Sequence, residues 1–147
     1  MLSTIMPPPV SISVIIPTYN RSYHLEQLIK SFAEQDIDPG SYEIIVCNNN
    51  SSDDTREVMR GIQEKYSTHH ITYMFEALQG VHYARNTAAK HAIGFLLYFT
   101  DDDMIATPSL LSSLIKVFDI DASIACVTGQ VFPKWEADPP DLSLIHI

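Results

Sequence analysis

Apolar residues recur along the chain with two periods. Short, nearly unbroken β-rich runs stand at Ser11–Ile16 (SISVII, closed by Pro17), Tyr42–Cys47 (YEIIVC), Ile71–Phe75 and Phe95–Phe99 (FLLYF). Each is a strand's length and predicts a buried strand. Between them Leu25, Leu28, Ile29 and Phe32 fall at i, i+3, i+4 and i+7, which predicts an amphipathic helix over 22–35. Val58, Met59, Ile62 and Tyr66 predict a second helix, Gly80–Ala92 a third, and Leu111, Leu114, Ile115 and Phe118 a fourth. Ser123–Phe132 (SIACVTGQVF) predicts a fifth strand, and Pro133–Asp141 a loop holding Trp135.

Local signals punctuate these elements. Asp36–Ser41 contains Pro39-Gly40 and reads as a turn. Ser51 or Ser52 can cap the second helix, with Asp53-Asp54 in its first turn favoured by the helix dipole. Gly94 reads as a C′ glycine, and Thr107-Pro108 as an N-cap followed by proline at the first helical position. Alternating strands and helices, with strands almost wholly apolar, predict an α/β fold. Its open, mostly parallel sheet is buried on both faces and flanked by helices. Residues 1–10, with Pro7-Pro8-Pro9, are expected to be a disordered lead-in, and 11–147 a single unit.

Charge narrows the function. The 147 residues carry nine Lys+Arg against 18 Asp+Glu, a net charge of −9, with no basic block. That excludes a nucleic-acid or anionic-membrane surface, and any polyanion must be held by a few arginines or a metal ion. Cys47 and Cys126 each sit in an apolar run and are expected to be buried free thiols. No signal peptide and no membrane-length apolar stretch is present in this span, so the expected location is cytoplasmic.

In an open parallel sheet, ligands bind beyond the carboxyl ends of the strands. The residues following the strands are Thr18-Tyr19-Asn20-Arg21, Asn48 to Asp53, Glu76 to Gly80, and Asp101-Asp102-Asp103. Three consecutive carboxylates resist ionising together, and a hard cation such as Mg²⁺ or Mn²⁺ relieves that repulsion. Strand alternation would turn Asp101 and Asp103 the same way, toward a shared metal, and Asp102 elsewhere. A solvated acidic turn before a helix is the simpler alternative. No GxxxxGK[ST] or GxGxxG phosphate loop occurs. A phosphate would therefore rest on metal plus Arg21 and Arg85, the latter close to a helix N-terminus. Each arginine read alone is equally an ordinary surface residue. The six histidines form no metal set and read as solvated or core-edge residues, and no nucleophile elbow is present.

Four ordered segments resemble the family 2 glycosyltransferases: SVIIPTYNR (13–21), EIIVCNNNSSDDT (43–55), GVHYARNTAAKHAIG (80–94) and LLYFTDDDM (96–104). GQVFPKWEADPPDL (129–142) also resembles the segment with which many bacterial members continue. The resemblance implies a GT-A, Rossmann-like fold and inverting sugar transfer from a nucleotide-diphosphate donor, a UDP-sugar above all. It also implies a saccharide or lipid-linked acceptor, in polysaccharide or glycoconjugate biosynthesis at the cytoplasmic side of a membrane. Pro17, Thr18, Tyr19, Asn20 and Arg21 are similar to the first nucleotide-contacting segment. Asn48 stands where the family usually has a base-reading Asp, and Asn50, Asp53 and Gly80 fall in donor-binding positions. Arg85 matches an arginine near the diphosphate. Asp101–Asp103 match the DxD motif, with Asp101 toward ribose, Asp103 with Asp101 as ligands for Mn²⁺ or Mg²⁺, and Asp102 able to share either task.

The same resemblance places the catalytic base beyond Ile147 and makes Glu136, Asp138 and Asp141 the approach to the acceptor. The chain is thus expected to be a donor-binding portion with most of the acceptor half missing. A nucleotide-sugar or metal-binding module without turnover is the main alternative. A nucleotidyltransferase fits less well, because Pro17–Arg21 is no glycine-rich phosphate loop.

Overall fold

The computed structural model describes residues 10–134. The elements are β1 (Ile12–Thr18), α1 (Ser22–Ala33), a 3₁₀ turn (Pro39–Ser41), β2 (Tyr42–Asn48), α2 (Thr55–Lys65), β3 (His70–Phe75), α3 (Val81–His91), β4 (Leu96–Phe99) and α4 (Leu110–Ile120). The four strands form one sheet in the order β3-β2-β1-β4, and every pairing is parallel. The expected α/β class is observed. The polyproline lead-in and the 135–147 segment, with Glu136, Asp138 and Asp141, lie outside the described residues.

Side-chain alternation divides the core between the two faces of the sheet. Ile12, Val14 and Ile16 of β1 join Ile44 and Val46 of β2 under Leu25, Leu28, Ile29 and Phe32 of α1 and Met59 and Ile62 of α2. Leu111 of α4 closes the same cluster. On the other face Ile15, Ile45 and Cys47 meet Ala84 and Ala88 of α3. Those two alanines, one helical turn apart, let α3 lie close to the sheet. Burying each such Leu or Ile contributes about 1.5–3 kcal/mol, so the α1 stripe alone anchors one side of the sheet.

The two central strands are buried along their whole length, whereas β3 and β4 alternate between half-buried and exposed positions. Burial on both faces therefore holds for β1 and β2 only. Residues 123–134 form no strand, which corrects the fifth strand expected from the pattern. A ladder requires a partner edge in register. Here the segment lies with Leu97, Tyr98, Leu110 and Leu114 around a cavity of about 490 Å³ instead. For the same reason Cys126 is exposed and only Cys47 is a buried thiol.

Three local expectations change as well. Neither Ser51 nor Ser52 caps α2; its N-cap is Asp54, and the Asp53 carboxylate accepts from the Thr55 N–H at 3.1 Å. Thr107-Pro108 lead into the turn before the helix rather than start it, and the N-cap is Ser109. Gly94 is no left-handed cap. A Cβ there would lie 2.6 Å from the Ser13 nitrogen and 2.7 Å from the Ile12 carbonyl carbon, so glycine is required for close approach to β1.

Pro17 explains how the sheet opens toward one end. The Ile15 carbonyl accepts from the Thr100 N–H on the β4 side, and the Thr18 carbonyl from the Asn49 N–H on the β2 side. Pro17 therefore turns its missing N–H toward β4, whose ladder has already ended opposite Ile15. Beyond that point the chain after β4 is free to turn away, and it carries the three aspartates with it. Among the described residues no helix is long and apolar enough to cross a membrane.

Candidate functional site

Four chain segments meet beyond the carboxyl ends of the strands. Pro17, Thr18, Tyr19 and Arg21 follow from β1, Asn49 from β2, Gln79 to Val81 lead into α3, and Asp101 to Asp103 follow β4. Together they line a cavity of about 610 Å³. Tyr19 is half exposed on its wall, an aromatic face open to a flat partner.

Charge pairing organises one side. Thr18 Oγ1 donates to Asp102 at 2.9 Å, and Arg21 Nη1 donates to Asp102 at 3.2 Å and Asp103 at 2.9 Å. The negative charge of Asp102 is the chief cause that raises the pKa of Arg21. Arg85 Nη2 donates to Asp101 at 2.6 Å, while its Nε is buried without a partner. The triplet lies beyond the last strand residue, so strand alternation does not apply to it. Asp102 is the buried member, at 5% exposure, and shares Arg21 with Asp103, whereas Asp101 turns to Arg85.

The remaining expected residues divide into two groups. Gly80 lines the cavity with φ at 142°, a conformation that L side chains rarely adopt. Asn20, Asn48, Asn50 and Asp53 do not line it, and neither does Arg85, which reaches it only through Asp101. Asn20, at φ 53°, joins the two neighbouring loops: its N–H donates to Ser51 Oγ at 2.9 Å and its Oδ1 accepts from the Ser52 N–H at 2.8 Å. Asn50 is exposed at φ 62°, in the left-handed turn. Asn48 is buried; its Nδ2 donates to the Tyr73 hydroxyl and its Oδ1 accepts from the Ser51 N–H, both at 2.8 Å. Asp53 accepts from the Ser22 N–H at 3.2 Å as well as from Thr55, tying together the starts of α1 and α2. Burial pushes its pKa up, but the hydrogen bonds from Thr55 and Ser22 outweigh that and hold it below the ordinary value.

Asn49 and Gln79 lay in segments expected at this edge but were not singled out, and Val81 was not anticipated. Asn49 sat inside a polar loop already marked, yet nothing in NNNSS separates one asparagine from its neighbours. Their difference lies in which partner each meets after folding.

The triplet suits a hard divalent cation. Its donors are carboxylate oxygens, and Asp101 and Asp103 are solvent-accessible. Among the described residues no group of three His, Cys, Asp or Glu side chains is placed to hold a metal ion, so a cation here would rest on one or two carboxylates with other ligands completing its shell.

A parallel sheet with polar loops gathered at its carboxyl edge places the chain among the open α/β folds that bind ligands at that edge. The profile of glycosyl transferase family 2 matches residues 13–139, and the chain belongs to that family. It is 35% identical over 134 residues to a validoxylamine A glucosyltransferase of Streptomyces hygroscopicus subsp. limoneus, covering 89% of this chain and 29% of that protein. The chain thus spans less than a third of that relative's length.

The mannosyltransferase PcManGT of Pyrobaculum calidifontis, solved with GDP-Man and Mn²⁺, superposes with a TM-score of 0.71 at 28% identity. It covers 78% of this chain and 33% of that one. Staphylococcus aureus TarS (residues 1–349), solved with UDP, superposes with a TM-score of 0.70 at 24% identity, covering 85% and 38%. The fold is accordingly GT-A.

Proposed function

We propose that this chain is the donor-binding portion of a metal-dependent, inverting glycosyltransferase that moves a sugar from a nucleotide diphosphate to an acceptor hydroxyl. The observation that carries the reading is the cavity at the carboxyl ends of β1, β2 and β4, whose acidic triplet is paired with Arg21 on the cavity wall and with Arg85 behind it. Family membership and the nucleotide-bound relatives support it.

In this reading Thr18 and Tyr19 face the base, with Pro17, Asn20 and Arg21 shaping that loop. Asn48, Asn50 and Asp53 hold the neighbouring loop from behind, and Gly80 lets the backbone approach the ligand. Asp101 stands toward the ribose, and Asp103 with Asp101 holds Mn²⁺ or Mg²⁺, the buried Asp102 being fixed by Thr18. A bound divalent ion would supply neutralisation of the diphosphate as it leaves. Arg85 stabilises the same developing charge once its partner Asp101 turns to the cation. Among the described residues the only carboxylates lining the cavity are the triplet, so the base that deprotonates the acceptor is assigned outside them. The expected donor is a UDP-sugar, the acceptor a saccharide or lipid-linked hydroxyl, and the setting glycoconjugate or polysaccharide assembly on the cytoplasmic side of a membrane.

Calorimetric titration with UDP, GDP and their sugar conjugates, with Mn²⁺, with Mg²⁺ and with EDTA, tests this. Binding should require the cation and be lost in Asp103→Ala. Equal affinity in EDTA, or in Asp103→Ala, would overturn the metal assignment. Binding with neither transfer nor donor hydrolysis would instead identify a module without turnover.

A further inference from the structure

Asn48 ends β2 and Asn49 follows it; the two buried asparagines are chemically alike and differently used. Asn49 is 4% exposed, and every hydrogen-bonding group of its amide is engaged. Its Nδ2 donates to the Leu78 carbonyl at 2.6 Å and the Glu76 carbonyl at 3.3 Å, and its Oδ1 accepts from the Gly80 N–H at 2.8 Å. Its own carbonyl accepts from Gln79 Nε2 at 2.9 Å, and its N–H donates to the Thr18 carbonyl at 2.8 Å. One residue therefore ties the end of β1 to the whole 76–80 segment, across the cavity that both line.

That segment sets where α3 begins. Gly80 is its N-cap, and Arg85 lies little more than one turn further on, where it reaches Asp101 at 2.6 Å. We propose that Asn49 is a positioning residue of the donor site: it fixes the 76–80 segment, and through it Gly80 and Arg85, at the distance a nucleotide diphosphate requires. The assignment rests on the donor-binding reading above and names a residue that acts through others rather than by touching the reacting atoms.

The chemistry requires an amide. An Asp at 49 would accept from Gly80 but would turn a negative oxygen on two carbonyls that now receive hydrogen bonds. The buried amide of Gln35 makes the same pattern outside the cavity, donating to the Ser31 and Thr107 carbonyls and accepting from the Leu111 N–H. An isosteric Glu there meets the same conflict without touching the 76–80 segment, so the two substitutions should part company in nucleotide affinity.

The test is nucleotide affinity for UDP and for GDP, each with Mn²⁺, measured on the full chain at a temperature where circular dichroism shows each variant folded. A residue that served folding alone would leave affinity unchanged under that condition. Asn49→Asp should weaken both nucleotides by about tenfold or more, and Gln35→Glu by less than about twofold. Equal losses in the two variants, or wild-type affinity in Asn49→Asp, overturn the assignment. If Asn49→Asp does not fold, Gln79→Ala removes one strand of the same clip from an exposed side chain. It should cost about threefold in affinity, and no change there overturns the proposal too. Wild-type protein that binds neither nucleotide overturns the donor reading itself, and this assignment with it.

Discussion

Replacing Arg21 with Met keeps the side chain's length and removes the charge shared by two carboxylates. The Asp103 contact joins side chains 52% and 47% exposed, so its loss costs from a few tenths to about 1 kcal/mol. The Asp102 contact is different, because that carboxylate is only 7% exposed and keeps a single donor, Thr18 Oγ1, once Arg21 is gone. A hydrogen bond to a charged group contributes about 1.5–3 kcal/mol, and the half-exposed guanidinium places this one at the low end. The sum is about 2 kcal/mol. For a domain of this size that lowers Tm by about 6–10 °C.

The same change frees Asp102 and Asp103 for another cation. Mn²⁺ should therefore raise Tm further in Arg21→Met than in wild type. A ligand at a hundred times its Kd contributes about 2.7 kcal/mol, enough to offset the loss. Because one nitrogen makes both contacts, Arg21→Lys should recover most of the stability without Mn²⁺. Thermal melts followed by circular dichroism, with and without Mn²⁺ and without nucleotide, measure all three. The reasoning fails if Arg21→Met melts within about 2 °C of wild type. It fails equally if Mn²⁺ stabilises both proteins to the same extent.

Three further outcomes follow from single contacts. Gly94→Ala puts a Cβ 2.6 Å from the Ser13 backbone in a central strand, and should lower the urea midpoint by an amount equivalent to about 1–3 kcal/mol. Asp53 has a carboxyl held below the ordinary aspartate value of 3.8, so it contributes stability above that pH, and the contribution is lost as pH falls through its folded value. Acid titration of stability should accordingly show a shallower fall below about pH 4 in Asp53→Asn than in wild type. The Cys47 thiol is pushed up to about 11, first by burial and then by the charge of Glu76. Iodoacetamide near neutral pH should modify exposed Cys126 in the native protein and Cys47 only after unfolding, as peptide mass mapping would show.

The elements easiest to read from sequence are those whose pattern burial decides. The stripe of Leu25, Leu28, Ile29 and Phe32 and the runs in β1 and β2 are all wholly buried, so nothing competes with their periodicity. The run at 123–132 has the same apolar character and lies beside β4 without forming a ladder, and periodicity carries no information about partners. Gly94 looked like a helix cap because a cap and a close approach select the same residue. Only the position of Ser13, eighty-one residues earlier in the chain, separates them.

The site was legible in outline for a related reason. Topology alone brings the ends of parallel strands together, so the segments after β1, β2 and β4 could be assembled before any side chain was placed. Orientation within those segments was not legible, because strand alternation ends where the strand does. Asp102, expected to face away, is the aspartate held most firmly, by Thr18 and Arg21.

That arrangement also bears on how an acidic chain would hold a diphosphate under the proposed function. At the triplet, three carboxylates stand against two guanidinium groups, leaving one net negative charge. In that state the arginines are engaged and the cavity repels an anion. Under the proposed function, a divalent cation would reverse the local sign and, by drawing on the same carboxylates, would free Arg21 and Arg85 for an anionic ligand. The two effects reinforce each other because they act on the same carboxylate oxygens. A basic surface would attract any polyanion, whereas this pairing reserves the positive field for the cation-loaded state. The net charge of −9 is therefore no obstacle to a nucleotide donor and remains one to nucleic acid.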